Sequence, residues 1–150
     1  MSSQSFSSFT FPSPPVILGK GSLGEVFLVT EKETKKQFAM KIIKKSILKT
    51  QSEVDHLERE IKIHKNTSHP NIIKLINSFE DEEKVYIVLE YAPRNNLWNL
   101  LNKKGRLSES NAFTFFLQTC LAVDCLHKNG ILHRDIKVIY KLLNNNSQPF

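Results

Sequence analysis

The sequence is poor in cysteine and has no histidine spacing typical of a zinc site. Its 150 residues include two cysteines, Cys120 and Cys125, which lie in one apolar stretch. Cysteines in such a stretch are most simply interpreted as small buried apolar residues. The cysteine count therefore gives no basis for a disulfide framework or a structural zinc centre.

Long apolar runs are also missing. No stretch approaches the ~20 residues that a bilayer-spanning helix needs. The N-terminus does not combine a basic start with an apolar core, as a secretory signal would. These absences argue against a membrane protein, and we expect a soluble intracellular protein, cytoplasmic or nuclear, without a membrane partner.

The chain lacks an acidic excess. It has 21 Lys and Arg against 15 Asp and Glu, which gives a formal net charge of +6. A basic balance favours anionic partners, either nucleic acid or nucleotide phosphate, although most of these lysines are interpreted as solvated surface. The lysines between residues 32 and 49 have a single aromatic residue among them, Phe38. That pattern disfavours a specific nucleic-acid partner.

The first half of the chain has the turn and strand signals of a β-rich unit. Residues 1–15 are rich in Ser, Phe and Pro and are expected to form a disordered tail. Alternation predicts that Ala39, Lys41 and Ile43 share one face of a strand, with Phe38, Met40 and Ile42 on the other. The predicted strands cover residues 16–29 (two strands about a glycine turn), 38–43, 72–79 and 84–89.

Helices are predicted between and after these strands. Ser52 and Asp55 have capping-box spacing, and they open a helix whose apolar face carries Val54, Leu57, Ile61 and His64. A short helix is predicted near 97–102. A long one is predicted over 109–128, with Ser108 as its N-cap and Asn129-Gly130 as its end. Because most strands precede most helices, we predict an α+β fold with a β-rich lobe followed by an α-rich lobe.

A glycine-rich segment lies between the first two predicted strands. Residues 19–24 fit the pattern G-x-G-x-x-G. A dinucleotide-binding fold opens a helix at the last glycine, whereas here a strand, Val26–Val29, follows. An NAD-type oxidoreductase is therefore disfavoured. The segment predicts a hairpin tip whose backbone N–H groups could lie over phosphates, and a plain glycine hairpin remains the alternative.

Lys41 stands inside an apolar strand. A lysine at such a position is unusual unless it meets an anion. At this spacing after the glycine loop, its ammonium could reach nucleotide phosphates. The following helix offers Glu58 and Glu60 as carboxylate partners, and helical geometry alone does not choose between them.

A third signal follows the long helix. His133-Arg134-Asp135-Ile136-Lys137 places an aspartate and a lysine on a loop. The aspartate could accept the proton of an attacking hydroxyl, and the lysine could steady a transferring phosphoryl group. Taken alone, the segment could equally be a surface loop of mixed charge.

Together these motifs resemble the eukaryotic serine/threonine protein kinase domain, most closely its Aurora-type branch. The resemblance covers about residues 16–137. It implies a five-stranded antiparallel small lobe with one regulatory helix over 16–90, and a hinge and the start of a helical lobe over 91–137. The motifs that carry it are the glycine loop, Ala39-Met40-Lys41, His69-Pro70-Asn71-Ile72, Leu89-Glu90-Tyr91-Ala92 and the segment from His133 to Lys137.

The resemblance also implies roles for individual residues. Lys41 would pair with the α- and β-phosphates of ATP and with Glu60, Leu89 would be the gatekeeper, and Asp135 would be the catalytic base. Lys137 would assist catalysis and mark specificity for serine and threonine. The ATP-binding residues implied are Leu18, Gly19, Gly21, Gly24, Val26, Ala39, Lys41, Leu89, and the backbone of Glu90 and Ala92.

The sequence departs from the family at two places. Leu23 occupies a loop-tip position that usually holds an aromatic or small residue. After Lys137 the family continues to a metal-binding Asn, but Tyr140 stands at that position and no Asp-Phe-Gly follows. Residues 138–150 therefore read as a divergent tail, and we expect a truncated, catalytically impaired form. No residue is assigned to metal, although the family uses Mg²⁺.

Two functions remain open. The first is an ATP-dependent kinase that phosphorylates a protein substrate, and the second is a non-catalytic nucleotide-binding or interaction module with a regulatory protein partner. In complete domains of this family, later helices cover the helix at 109–128. We therefore also expect that helix to bind a chaperone or to mediate self-association.

Overall fold

The computed structural model describes residues 5–93, 97–133 and 136. The described residues fall into two compact units, the first holding 5–66 and 74–91 and the second holding 67–73, 92–93, 97–133 and 136. The strands are β1 (Phe9–Thr10), β2 (Ile17–Gly21), β3 (Gly24–Glu31), β4 (Gln37–Lys44), β5 (Leu75–Glu80) and β6 (Lys84–Glu90). The helices are α1 (Gln51–Asn66), α2 (Leu97–Lys104) and α3 (Glu109–Lys128).

The first unit is built on an antiparallel sheet. Its strand order is β1-β3-β4-β6-β5, and β2 pairs with β3 beside β1. The α+β fold class, with strands preceding most of the helices, is confirmed. The sheet has six strands rather than the five expected, because Phe9 and Thr10 pair with Glu31 and Thr30.

The two faces of β4 are buried by different sets of residues, as its alternation predicts. Met40 belongs to an aromatic cluster on what we call the outer face. Ile43 belongs to a helix-side cluster on the inner face, where Leu57 of α1 packs. The aromatic cluster comprises Phe9, Val29, Met40, Tyr86 and Val88, and the helix-side cluster comprises Ile43, Leu57, Leu75, Val85 and Ile87.

The expectation of a disordered tail over residues 1–15 is wrong for the described part of that segment. Phe9 is 5% exposed within the aromatic cluster. Phe6 and Phe11 contact Tyr86 and Phe27, with ring centroids 5.0 Å and 5.7 Å apart. Burial of these aromatic side chains offsets the entropy of ordering a segment that is otherwise Ser- and Pro-rich.

Helix α1 begins slightly earlier than the Ser52–Asp55 pair predicted. The box is formed by Thr50 and Glu53: the Glu53 amide donates to Thr50 Oγ1 at 3.3 Å, and Glu53 Oε2 accepts from the Thr50 amide at 3.0 Å. Glu53 Oε2 also accepts from the Lys49 amide at 2.7 Å. These backbone N–H groups, Thr50 first, lower the pKa of Glu53 below its usual 4.5. The two residue pairs have the same spacing, but the longer glutamate reaches back to the free amides.

Helix α3 of the second unit begins and ends as predicted. Ser108 Oγ accepts from the Asn111 amide at 3.3 Å, and Gly130 beyond its end has a φ of +70°. Phe115 is buried. Cys120, interpreted from sequence as buried, is exposed, as are Phe113, Phe116, Leu117 and Leu121. The helix therefore presents an apolar face that the described residues do not bury.

The turn between β5 and β6 is closed by one carboxylate. Asp81 Oδ1 accepts from the Glu83 and Lys84 amides at 2.9 Å and 2.7 Å, and Asp81 Oδ2 accepts from the Tyr86 hydroxyl at 2.7 Å. The Tyr86 bond is the largest cause of a lowered Asp81 pKa, and burial raises the pKa of Tyr86 to about 12. A single acidic side chain thus fixes the turn to the aromatic cluster.

We predict that Tyr86→Phe lowers the free energy of unfolding by about 1 kcal/mol at neutral pH, because a part-buried hydrogen bond is lost. The pKa of Asp81 is lowered, so its stabilising effect is complete above its usual 3.8 and disappears as pH falls through the folded value. The difference between wild type and variant should therefore shrink in acid. Urea unfolding followed by circular dichroism between pH 7 and pH 3 measures this.

A double-mutant cycle with Asp81→Ala provides the control. The two substitutions should be strongly non-additive, because each removes the same bond. Additive effects, or a difference that grows as pH falls, would contradict this description of the turn.

Candidate functional site: a nucleotide-binding face of the sheet

The glycine segment forms a tight hairpin between β2 and β3. Gly21 pairs with Gly24, so Ser22 and Leu23 make up the turn. The chain continues as strand to Glu31 rather than as helix. This geometry agrees with the phosphate-covering hairpin inferred from sequence and with the exclusion of a dinucleotide-binding helix.

Gly24 is required by sterics. Its φ is +152°, which side chains rarely tolerate, and a β carbon built there would lie 2.1 Å from the Ile42 carbonyl oxygen. The start of β3 therefore lies directly against the backbone of β4. This close approach fixes the start of β3 beside the strand that carries Lys41.

The other two glycines leave open space. A β carbon at Gly19 would meet nothing within 4 Å, and one at Gly21 would meet only the Gly24 carbonyl oxygen, at 3.8 Å. Backbone without side chains and without close neighbours can be approached by a ligand. The hairpin therefore leaves room beside Gly19 and Gly21 for a phosphate-bearing group.

The strand register brings four predicted ligand-binding residues onto one face. Lys41 pairs with Val26 on β3 and with Ile87 on β6. Ala39 pairs with Leu28 and Leu89 in the same way. Directly paired residues of antiparallel strands point to the same side, so Val26, Ala39, Lys41 and Leu89 lie on the inner face, which α1 covers at its Ile43 end.

The predicted ion pair between Lys41 and Glu60 is not formed. Glu60 Oε1 lies 3.3 Å from His56 Nε2, one helical turn earlier, and Glu60 is largely exposed. Among the described residues, Lys41 is half-buried and has no ion pair with a carboxylate. The alternative partner, Glu58, is also exposed. Helix α1 packs through Leu57 and Ile61, and this leaves both glutamates at the solvent side of the apolar stripe.

The remaining predicted residues are divided between the two units. Leu18 lies at an irregularity of the β2–β3 register and is exposed. The Glu90 amide donates to the Lys74 carbonyl oxygen at 2.9 Å. Ala92 belongs to the second unit. Asp135 and Lys137 lie outside the described residues.

Neither a metal-binding cluster nor a membrane-spanning helix occurs in the described part of the chain. No group of three or more His, Cys, Asp or Glu side chains there could hold a metal ion. None of its helices is both long enough and apolar enough for a membrane span. The chemistry that the described residues do offer is a cation beside apolar side chains, on the strand next to the glycine hairpin.

The sequence was compared with known families, and a profile of the protein kinase domain matches residues 15–148. The chain belongs to the protein kinase family. The match extends past Lys137, where the sequence analysis placed the end of the resemblance.

Individual kinases from several branches are similar to this chain. Human NUAK family SNF1-like kinase 1 is 39% identical over 129 residues, which are 86% of this chain and 20% of the relative. Aurora kinase B-A of Xenopus laevis is 40% identical over 120 residues, or 80% of this chain and 33% of the relative. The probable serine/threonine-protein kinase PLK of Dictyostelium discoideum is 40% identical over 128 residues, or 85% and 13%. The Aurora-like resemblance is confirmed, and other serine/threonine kinases show similar identity.

The kinase chain spans about a third or less of the length of these curated relatives. Its described residues correspond to the sheet, the glycine hairpin and the first helices of a kinase domain.

The loop-tip residue that departs from the family makes a contact of its own. Leu23 is partly buried and packs against the helix-side cluster. It also lines a cavity of about 420 Å³ together with Leu48, Leu57, His56 and Glu60. This cavity lies along α1 and is not lined by Val26, Ala39 or Lys41, so it is separate from the candidate nucleotide face.

Two features of this candidate site were missed from sequence. His56 and Glu60 have the i, i+4 spacing of a helical pair, a local signal that could have identified the competitor for Glu60. The contact between Gly24 and the Ile42 carbonyl oxygen had no sequence signal, because it depends on how two strands meet.

We predict that Gly24→Ala lowers the free energy of unfolding by at least about 2 kcal/mol, since it adds backbone strain and a steric clash with β4. Gly19→Ala is the matched control and should change it by less than about 1 kcal/mol, because its β carbon meets open space. Urea unfolding and hydrogen exchange of the β3 and β4 amides measure both. Equal effects of the two substitutions would show that the Gly24 contact is unimportant.

Proposed function

We propose that this member of the protein kinase family binds ATP on the inner face of its sheet, and that its kinase activity is transfer of the γ-phosphate to protein serine or threonine hydroxyls. One observation carries the proposal. Lys41, half-buried beside Val26 and Ile87, has no anionic partner among the described carboxylates. A nucleotide phosphate would supply the missing charge.

The neighbours of Lys41 suit the rest of the nucleotide. Val26 and Ala39 are apolar, lie on the same face, and would cover the adenine ring. Leu89 would limit the depth of that pocket. Gly19 and Gly21 would bring backbone N–H groups to the phosphates, and the backbone of Glu90 and Ala92 would supply hydrogen bonds to adenine, as the family resemblance implies.

In the transfer itself, Asp135 would accept the proton of the substrate hydroxyl as its oxygen bonds to the γ-phosphorus. The bond from that phosphorus to the bridging oxygen breaks, and ADP leaves. Lys137 would steady the charge on the transferring group. Bound Mg²⁺ in kinases neutralises charge on the phosphates, but Tyr140 stands where the family has a metal-binding Asn and no Asp-Phe-Gly follows. We therefore propose that the 150-residue chain taken alone is catalytically impaired.

The second candidate function is a non-catalytic module that binds nucleotide or a regulatory protein. The observation that favours this second function is the exposed apolar face of α3. The two functions agree on ATP binding and differ on phosphotransfer, so both must be measured on the same protein.

We predict that Lys41→Ala weakens binding of a fluorescent ATP analogue about tenfold or more, since hydrogen bonds to charged groups are worth about 1.5–3 kcal/mol. Lys44→Ala is the matched control: the same side chain on the same strand, exposed and on the opposite face. It should change the dissociation constant less than about twofold. Equal weakening by both substitutions would make the charge effect nonspecific and overturn the assignment.

Phosphotransfer to a basic test peptide separates the two functions. For the chain alone we expect a rate lower than that of an ordinary kinase by about a thousandfold or more, which is several kcal/mol of lost transition-state stabilisation. An ordinary rate that Lys41→Ala abolishes would refute the proposed impairment and leave the kinase function standing.

We also predict that the chain self-associates through α3. Phe113 and Phe116 are 62% and 67% exposed, and with Leu117 and Leu121 they form a continuous helical stripe. Phe116→Lys should shift the chain towards monomer in analytical ultracentrifugation, whereas Asn102→Lys, at an exposed polar position of α2, should not. A wild-type monomer at tens of micromolar would disprove this prediction.

A further inference from the structure

The N-terminal segment of residues 6–11 carries three phenylalanines that all contact the sheet. Phe9 stacks on Phe79 with centroids 6.2 Å apart and meets Phe38 edge-on at 6.3 Å. Phe6 contacts Tyr86, Phe11 contacts Phe27 edge-on, and Phe6 and Phe11 also contact each other at 5.7 Å. The spacing Phe-x-x-Phe-x-Phe therefore matches a series of aromatic positions on the outer face.

The backbone of the segment is held as well as its rings. Phe9 and Thr10 pair with Glu31 and Thr30 as an added strand, and the Lys32 amide donates to the Ser8 carbonyl oxygen at 2.9 Å. Thr10 Oγ1 donates to the Thr30 carbonyl oxygen at 3.2 Å. Peptide-binding sheets use the same combination, in which main-chain bonds give affinity and side-chain pockets give specificity.

The segment is joined to β2 by a short, Pro-containing stretch, residues 12–16, most of which is exposed. A short tether gives an effective concentration in the millimolar range. The outer face is therefore filled by the segment of its own chain, even if the contact is weak between separate molecules.

The buried ring lies behind the candidate nucleotide face. Phe9 packs in one cluster with Val29, Met40 and Val88. Met40 stands between Ala39 and Lys41 along β4 and points to the opposite side. Since cores are closely packed and transmit displacement, the position of Phe9 influences the position of the two residues on either side of Met40.

We propose that the outer face of the sheet is a docking groove for a short aromatic segment of pattern Phe-x-x-Phe-x-Phe, filled in this chain by residues 6–11. Its occupancy holds β4 in the position that nucleotide binding requires, so Phe9 is a positioning residue. The docking part stands on the contacts alone, and the effect on nucleotide rests on the proposed ATP-binding function.

The test uses the full chain carrying Phe6→Ala, Phe9→Ala and Phe11→Ala together, which frees the groove. A labelled peptide of residues 5–12 is titrated into this variant and into the wild type, with fluorescence anisotropy as the readout. We expect at least tenfold tighter binding to the variant, because the groove of the wild type is already filled. A control peptide with Phe9→Ala should bind the variant at least tenfold more weakly than the natural peptide.

Equal binding of the natural peptide to both chains, or equal binding of the two peptides, would overturn the docking groove. Wild-type dimers that excess peptide dissociates would overturn occupancy in cis and assign the groove to the segment of a second copy.

A second measurement keeps the proposal testable if the triple variant fails to fold. Hydrogen exchange of the β3 and β4 amides should rise in Phe9→Ala and stay near wild type in Phe9→Leu, because leucine keeps apolar volume. It should change little in Phe6→Ala, because the Phe6 ring is 43% exposed. Saturating peptide should restore protection in the triple variant. Protection that is unaffected by Phe9→Ala, or not restored by peptide, would contradict the proposal.

The nucleotide arm is read separately. Phe9→Ala should weaken binding of the ATP analogue at least fivefold, and Phe9→Leu less than twofold. Peptide binding without any effect on nucleotide affinity would refute the positioning role and keep the groove. If the wild type binds no nucleotide while the peptide still binds the variant, the proposed function fails and the docking groove stands.

Discussion

Strand β4 is packed on both of its faces, and the rest of the first unit depends on that double packing. Met40 is fully buried among aromatic and β-branched side chains on one side. Ile43 is fully buried against Leu57 on the other. A strand in this position cannot slip by one residue, because the shift would exchange every buried side chain with one facing the opposite way. The inner-face placement of Ala39 and Lys41 is therefore a consequence of core packing on both sides of the sheet.

A second constraint couples the hairpin to this strand. Gly24 lies so close to the Ile42 carbonyl oxygen that only a residue without a β carbon fits. The glycine pattern thus contains two kinds of glycine: Gly24 serves the fold, and Gly19 leaves room beside the backbone. A sequence pattern shows all three glycines alike, and only their surroundings distinguish a structural requirement from space for a ligand.

Much of the fold could be predicted because its signals are local. Alternation in β4, the Ser108 cap and the Asn129-Gly130 stop each act within a few residues of chain. The N-terminal segment could not be predicted in this way: its composition resembles a disordered tail, and the face that orders it is made by residues far along the chain, such as Phe79 and Tyr86. Glu60 shows the reverse case. The family resemblance predicted an ion pair with the distant Lys41, whereas in the structure Glu60 contacts the nearby His56. The i, i+4 spacing of His56 and Glu60 was visible in the sequence. Asp135 and Lys137 stay predictions from their motif alone.

The pairing of β3 has a further consequence for association between chains. One side of β3 pairs with β4. The other side pairs with two strands, β2 along residues 24–27 and β1 at Thr30 and Glu31. Unpaired strand edges are templates for aggregation, and the two-residue β1 covers the part of this edge that β2 does not reach. Between the segments of β3 that pair with β2 and β1, the Leu28 amide donates to the Val16 carbonyl oxygen at 3.0 Å. The aromatic N-terminal segment thus covers an edge of β3. A fragment of the chain that began after residue 11 would expose both that short strand edge and the apolar surface beside it.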